Sequence, residues 1–243
     1  MLPFLDPVRA TFRPDKLPGL AAWYSADFGV LNSVGPDVPA TEGQTVRRWL
    51  DRSGNGLHME QATLASQLTF TSGYLSMIAV SQSMATANVQ FLHPFTVFCV
   101  FRSTAAGTSA NYAVHQAPAV GAGQWGINGA SSSNIRSFFQ VRSSSLDITQ
   151  FDGIDLNVWQ NAVVGSNADD TVFFESLGQA ATPSSTGTGI ATMPTLPLTI
   201  GRGLANNVLI DVAEIGVVNR TLTESEKSKL RTYLRRKYGH PGF

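Results

Sequence analysis

The chain has 243 residues with 17 basic and 17 acidic side chains, and charged residues make up only 14% of it, against about 25% in an average soluble domain. Balanced charge removes the electrostatic drive toward polyanions, so no nucleic-acid partner is expected. No apolar run approaches the roughly 18 residues of a spanning helix, so no membrane insertion is expected, and Cys99, the single cysteine, has no intrachain disulfide partner.

Residues 1–18 interleave Pro3, Pro7, Pro14 and Pro18 with Leu2, Phe4, Leu5, Val8 and Phe12. Proline favours extended backbone and apolar side chains need burial, so the stretch reads as an anchoring arm with Leu2, Phe4, Leu5 and Phe12 as its contacts. It has neither a basic start nor an unbroken apolar core and does not read as a signal peptide. Residues 19–243 read as a single domain. From Leu20 onward, short segments rich in β-branched and aromatic residues recur between Gly, Ser, Asn and Pro clusters, the pattern of an all-β sandwich or barrel. The clearest are LAAWYSA, TVRRWLD, FTVFCVFRS, ANYAVHQ, QWGIN, IRSFFQVRS, VWQNAVVGS, DTVFFESL, PLTIGR and VLIDVAEIGVVN. In FTVFCVFRS both alternating sets are apolar, which predicts a central strand buried on both faces, with Cys99 in the core. Residues 176–195 are rich in Gly, Ser and Thr and read as a long loop or edge hairpin. Arg102 is the only charged side chain between Gln61 and Ile135, so uncharged polar residues and glycine must supply much of the surface there.

One helix is predicted near the C-terminus. Thr223-Glu224-Ser225-Glu226 fits a capping box, in which the Thr223 hydroxyl accepts from the Glu226 amide and the Glu226 carboxylate accepts from the cap amide. Leu230, Tyr233 and Leu234 then share one face, and Gly239 with Pro241 ends the helix. Acids in the first turn and Arg235, Arg236 and Lys237 in the last suit the helix dipole.

RRWLDRSGNG, residues 47–56, allows two readings. Asp51, Ser53 and Asn55 present oxygens at alternating positions, like the start of a calcium loop, but the later ligands of such a loop are missing. The other reading is a tight turn, in which Asp51 and Asn55 bond local backbone while Gly54 and Gly56 take positive φ. The turn is preferred, with calcium kept as the one cofactor worth testing.

Together, LPGLAAWYSAD, VRRWLDRSGNGLHMEQ, a long β-rich middle, LTIGRG and DVAEIGVVNRTLTESEKSKLRTYLRRKYG resemble a LamG-like domain of the concanavalin A-like lectin and glucanase superfamily, in particular the versions in bacteriophage virion proteins and bacterial surface proteins. The resemblance spans residues 17–239, with its specific motifs at the two ends. It implies an all-β concanavalin A-like jelly-roll sandwich of two antiparallel sheets with one C-terminal helix. Trp49, Asp51, Asn55 and Gly56 are its strongest mark, and it implies that Glu214 is a structural acid pairing with an arginine. The superfamily holds lectins, glycan-binding modules, glycosidases and structural domains, so fold alone does not choose among them. A chain made in the cytosol, without disulfides, in a fold usually displayed outside cells suits a virion component exposed on the particle: a capsid decoration, head fibre or tail protein. Its expected partners are other virion proteins and further copies of itself, a trimer being the expected oligomer. The alternative is a lectin-like adhesion module for host or environmental glycans.

Catalytic signals are weak. Retaining glycosidases need two carboxylates about 5 to 5.5 Å apart, and the nearest echo of that pattern, Asp211-Val-Ala-Glu214, would place its acids on opposite faces of a strand. His58, His93, His115 and His240 show no zinc spacing, and there is no Gly-x-Ser-x-Gly or phosphate-binding loop. The expectation is a protein that is not an enzyme. For a glycan site, Tyr112, Trp125 and Asn128 are the candidates, provided their strands end at one rim. The competing reading makes Trp125, like Trp23, Trp49 and Trp159, a core residue.

Overall fold

The computed structural model describes residues 12–35, 37–79, 81–104, 112–116, 124–128, 136–142, 146–152, 157–169, 171–176, 179–180, 193, 195–201 and 209–238; for 112, 124, 128, 136–142, 146–152, 176 and 179–180 the description stops at the backbone. Of the arm, Leu2, Phe4 and Leu5 lie outside these residues and Phe12 lies within them.

In chain order the strands are β1 (Leu20–Ser25), β2 (Val30–Asn32), β3 (Thr45–Trp49), β4 (Met59–Glu60), β5 (Leu68–Thr71), β6 (Tyr74–Ser76), β7 (Ser83–Gln90), β8 (Phe95–Ser103) and β9 (Tyr112–Gln116). They continue with β10 (Gln124–Asn128), β11 (Arg136–Arg142), β12 (Leu146–Asp152), β13 (Gln160–Ser166), β14 (Val172–Ser176), β15 (Gln179–Ala180), β16 (Thr195–Gly201) and β17 (Ile210–Val218), and the helix α1 (Glu224–Tyr238) follows.

The strands form two antiparallel layers. In one, β17 pairs with β8, β8 with β13, β13 with β14 and β14 with β15, while β1 and β6 share the other edge of β17. The second layer runs β2, β3, β4, β7, β16, β9, β10, β11, β12. The β5–β6 hairpin joins β3 to β17, so the hydrogen-bonded ladder curls from one layer into the other. This is an all-β jelly-roll sandwich of the concanavalin A-like kind with one C-terminal helix.

Two cores follow from the alternation of side chains. Between the layers, Phe95, Val97, Cys99 and Phe101 of β8 and Ile215 and Val217 of β17 meet Trp49, Met84, Trp125 and Ile200 of the opposite layer. On the outer face of the first layer, Trp23, Phe98, Val100, Val163 and Val218 meet Leu230 and Leu234 of α1. A layer covered on both faces needs apolar residues at successive positions, and β8 and β17 supply them. Close approach is part of this packing. Trp23 of β1 and Phe98 of β8 flank Gly216 of β17 in register, and a Cβ at Gly216 would lie 2.1 Å from the Phe98 ring.

Helix α1 begins at a capping box with both bonds present: the Glu226 amide donates to the Thr223 hydroxyl (3.3 Å) and the Thr223 amide to Glu226 (2.9 Å). Arg220 adds two bonds to the Glu226 carboxylate, at 2.8 and 2.7 Å. Lys227 and Arg231 clamp the helix to Glu175 of β14 at 2.7 and 2.6 Å.

One expectation of local geometry is corrected. Alternation would put Asp211 and Glu214 on opposite faces, but β17 carries a bulge: Val212 pairs with Phe101 and Glu214 with Val100, leaving Ala213 as an extra residue. The extra residue turns both carboxylates to the face that carries α1, where Asp211 meets Arg102 and Glu214 meets Trp23 and Lys237.

Candidate functional site

The 51–56 loop is a knot of hydrogen bonds around one acid. Asp51, 7% exposed, accepts from the backbone amides of Trp23 (3.0 Å), Ser53 (2.9 Å) and Leu57 (3.1 Å) and from the Ser53 hydroxyl (2.8 Å). Asn55 donates to the carbonyls of Leu20 and Ala21 at 3.0 and 2.9 Å. Gly54 and Gly56 sit at φ 93° and 72°, where a side chain would be strained. Both Asp51 oxygens already accept from donors, the Ser53 hydroxyl bonds Asp51 and the Ala21 carbonyl, and the Asn55 amide turns to β1, so the loop's polar side chains are engaged by the protein itself. Trp49 is buried beneath, donating its indole N–H to the Ser25 carbonyl (3.1 Å) and packing on Tyr24. What the loop does is fix Arg52, whose guanidinium lies over Trp23 (4.6 Å) and Phe28 (5.0 Å) and reaches Asp27 (3.2 Å).

Glu214 is 0% exposed and sits under the end of α1. It accepts from the Trp23 indole (2.8 Å), Lys237 (2.8 Å), the Tyr238 hydroxyl (2.5 Å) and the Tyr233 hydroxyl (3.4 Å). Its cationic partner is therefore a lysine from the helix rather than an arginine; β17 delivers the acid to α1, whose last turn brings Lys237 over it. Burial and the Glu214 charge push both tyrosine hydroxyls far above the ordinary tyrosine range, so they remain donors. Burial alone would raise the Asp27 carboxyl, but the bond from Ser25 and the charges of Lys237 and Arg52 outweigh it and hold it below the usual value.

Two clefts flank this cluster, and Asp27 and Lys237 line both. The smaller, about 420 Å³, is walled by Tyr74, Trp159 and Tyr238 with Ser72 at its rim. Tyr74 and Trp159 meet edge to face at 5.3 Å. Arg102 lies over both rings, 5.1 and 5.0 Å from their centroids, donates to the Tyr74 hydroxyl (3.2 Å) and is anchored by Asp211 at 2.6 Å. The larger cleft, about 700 Å³, lies between α1 and the 51–56 loop and is lined by Phe12, Arg13, Arg52, Lys229, Tyr233 and Arg236 among others.

The sequence-derived glycan candidates lie elsewhere. Tyr112 and Asn128 are cross-strand partners on β9 and β10, and their side chains fall outside the described atoms. Trp125 is a correction: only 1% exposed, it packs on Phe91 and Phe95 and donates to Gln116 at 3.0 Å, so it offers no ring face to a ligand. Of the four tryptophans, Trp159 is the one that is partly exposed. Tyr74 and Trp159 are 85 positions apart, between β6 and the start of β13, and no local spacing announces their meeting. Among the described residues no group of three or more His, Cys, Asp and Glu is placed to hold a metal ion.

No family model matches the chain, and no curated protein matches it by sequence. Solved structures do resemble it. Trypanosoma rangeli sialidase in complex with sialic acid superposes with a TM-score of 0.61 at 12% identity over 93% of this chain and 34% of the sialidase. A receptor-binding domain gives 0.60 at 11% identity over 89% and 51% of the two chains. Domain 4 of an extracellular arabinanase from Geobacillus stearothermophilus, in complex with arabinotriose, gives 0.60 at 14% identity over 87% and 97%. The chain thus spans about a third of the sialidase and nearly all of the arabinanase domain. At these identities the likeness is one of fold.

Proposed function

We propose that this chain is a non-enzymatic recognition module that binds a saccharide in the cleft of Tyr74, Trp159 and Tyr238. The observation that carries this is the aromatic pair itself. Trp159 is partly exposed in a concavity of about 420 Å³, meets Tyr74 edge to face and has Arg102 over its ring. Such a volume falls within the range of about 300 to 1,000 Å³ common for small-ligand sites. A fixed ring offers its exposed surface to the C–H side of a sugar at little entropic cost, while Asp27, Ser72 and Lys237 supply an acceptor, a hydroxyl and a donor for its hydroxyls. The arabinanase domain, nearly all of which shares this fold, carries arabinotriose, which supports the ligand class.

The non-catalytic part rests on the acids. Asp211 is held by Arg102 and Glu214 is enclosed by four donors. Neither has the freedom of a general acid or nucleophile at a glycosidic bond. Binding to a glycan array, followed by calorimetry on the hits, tests the reading. Trp159→Ala should weaken binding by about tenfold or more, the loss of one stacking ring, and Trp159→Phe by less. Wild-type protein that binds no saccharide, or a Trp159→Ala protein that is folded and binds as wild type, would sink it.

The setting we propose is the surface of a phage particle. It rests on the sequence resemblance alone; the segments that carry that resemblance, LPGLAAWYSAD, DVAEIGVVN and RSGNG, are neighbours in the fold, β1 pairing with β17 and Asn55 bonding Leu20 and Ala21 of β1. Mass spectrometry of purified particles tests this separately from sugar binding.

A further inference from the structure

The two clefts meet at the Asp27–Lys237 ion pair (3.2 Å) but differ in chemistry. Among the described residues the larger carries five cations, Arg13, Arg52, Lys229, Arg236 and Lys237, against one carboxylate, Asp27. Three of the five have acids: Arg13 lies 3.6 Å from Asp15, Arg52 3.2 Å from Asp27 and Lys237 2.8 Å from Glu214. Lys229 and Arg236 are exposed and form no ion pair with any described residue. Seven positions apart on α1, they lie two turns from each other on one face, with Thr232 and Tyr233 between them.

The helix dipole accounts for Arg236 in the last turn. It does not account for Lys229 in mid-helix, nor for Arg13 and Arg52, which other elements bring to the same concavity. In a chain of zero net charge, this local surplus concentrates positive potential in a recess where an anion loses less field to solvent than on an open surface. Arg52 is also preorganised, its guanidinium held over Trp23 and Phe28 and bonded to Asp27. A fixed guanidinium fork suits a planar carboxylate or a sulfate better than a neutral hydroxyl. Phe12 and Tyr233 add apolar surface at the walls.

We infer that the cationic cleft receives the acidic substituent, a carboxylate or a sulfate, of a saccharide whose neutral ring stacks in the adjoining aromatic cleft. The inference rests on the glycan-binding reading above and specifies the ligand as an acidic glycan. The contiguity of the clefts through Asp27 and Lys237 is what allows one chain of sugars to use both.

Calorimetry on the full chain tests it with matched probes: oligogalacturonate and its carboxyl-reduced form, and a sulfated galactan oligosaccharide and its desulfated form, both partner probes being neutral. The wild type should bind one acidic probe about tenfold more tightly than its neutral partner, and the pair that responds identifies carboxylate or sulfate. In Lys229→Gln/Arg236→Gln that advantage should shrink to about twofold or less, with neutral-probe affinity and Tm unchanged. Equal affinity for acidic and neutral probes, or an acidic preference untouched by the double variant, would overturn the inference while leaving neutral-sugar binding through Trp159 intact. Inorganic polyphosphate or anionic phosphatidylserine vesicles binding as tightly as the acidic sugar would also overturn it, since the recess would then be a general anion site. Binding of no probe at all would take the glycan reading down with it.

Discussion

Replacing Asp51 by Asn removes a charge but keeps the shape, which isolates the hydrogen bonds that close the 51–56 loop. Oδ1 accepts from the Trp23 and Ser53 amides, and Oδ2 accepts from the Leu57 amide and the Ser53 hydroxyl. An amide must turn its NH2 toward one of these pairs. The Ser53 hydroxyl can rotate away, but a backbone N–H cannot, so at least one buried amide is left facing another donor. A bond to a charged acceptor contributes about 1.5 to 3 kcal/mol, and an orphaned buried donor costs about 1 to 3 kcal/mol. The expected loss is therefore about 2 to 4 kcal/mol for Asp51→Asn, and Asp51→Ala should cost no less because three amides lose their acceptor. With a urea m-value of about 2 to 3 kcal/mol/M, the unfolding midpoint should fall by roughly 1 M at unchanged slope. A midpoint for Asp51→Asn within about 0.2 M of wild type, on that scale, would refute the view that this acid organises the loop.

The same geometry predicts that millimolar calcium and a chelator give the same Tm, since a cation at Asp51 would have to displace four donors; a calcium-dependent rise in Tm would return the loop to the metal-binding reading. Gly216→Ala should destabilise by about 1 to 3 kcal/mol through overpacking against Phe98, because the added methyl would lie 2.1 Å from that ring; denaturant unfolding measures it. The Arg220 bonds, chiefly, hold the Glu226 carboxyl down to about 2, against an ordinary value of 4.5. A depressed folded-state pKa means the stabilisation is full above the unfolded value and is lost as pH falls from 4.5 toward 2. Glu226→Gln keeps the capping geometry but not the ion pair, so it should cost about 1 kcal/mol at neutral pH for this partly exposed pair and flatten that acid limb; an unchanged pH profile would contradict it.

The architecture was legible where periodicity and burial coincide. FTVFCVFRS is apolar at both alternating sets, and β8 lies between β17 and β13 with a core on each side. Each of the ten strands named from the sequence corresponds to an observed strand, and the helix spans Glu224–Tyr238. Seven described strands were not announced. Five of them, β2, β4, β5, β6 and β15, have only two to four residues, too few to show a period; the other two, SMATANVQ in β7 and LDITQFD in β12, carry no sustained apolar alternation and are paired along β16 and β11. The bulge at Ala213 was equally hidden, because an extra residue is defined by the partner strand and leaves no local mark. The aromatic cleft is a long-range feature: Tyr74 and Trp159 come from β6 and the approach to β13, and only the fold unites them with Arg102 and Asp211. Trp125 looked equally available in the sequence, yet the core closes over it.

Fluorine NMR of the chain labelled with 5-fluorotryptophan tests the central claim most directly, because Trp23, Trp49 and Trp125 are buried and Trp159 alone of the four lines a cleft. Titration with a saccharide retained on the array should move the Trp159 resonance, assigned by its absence in Trp159→Phe, saturably and with the calorimetric affinity, while Trp49 and Trp125, which line neither cleft and touch no cleft cation, stay in place. Saturable binding that leaves Trp159 unmoved would contradict the account.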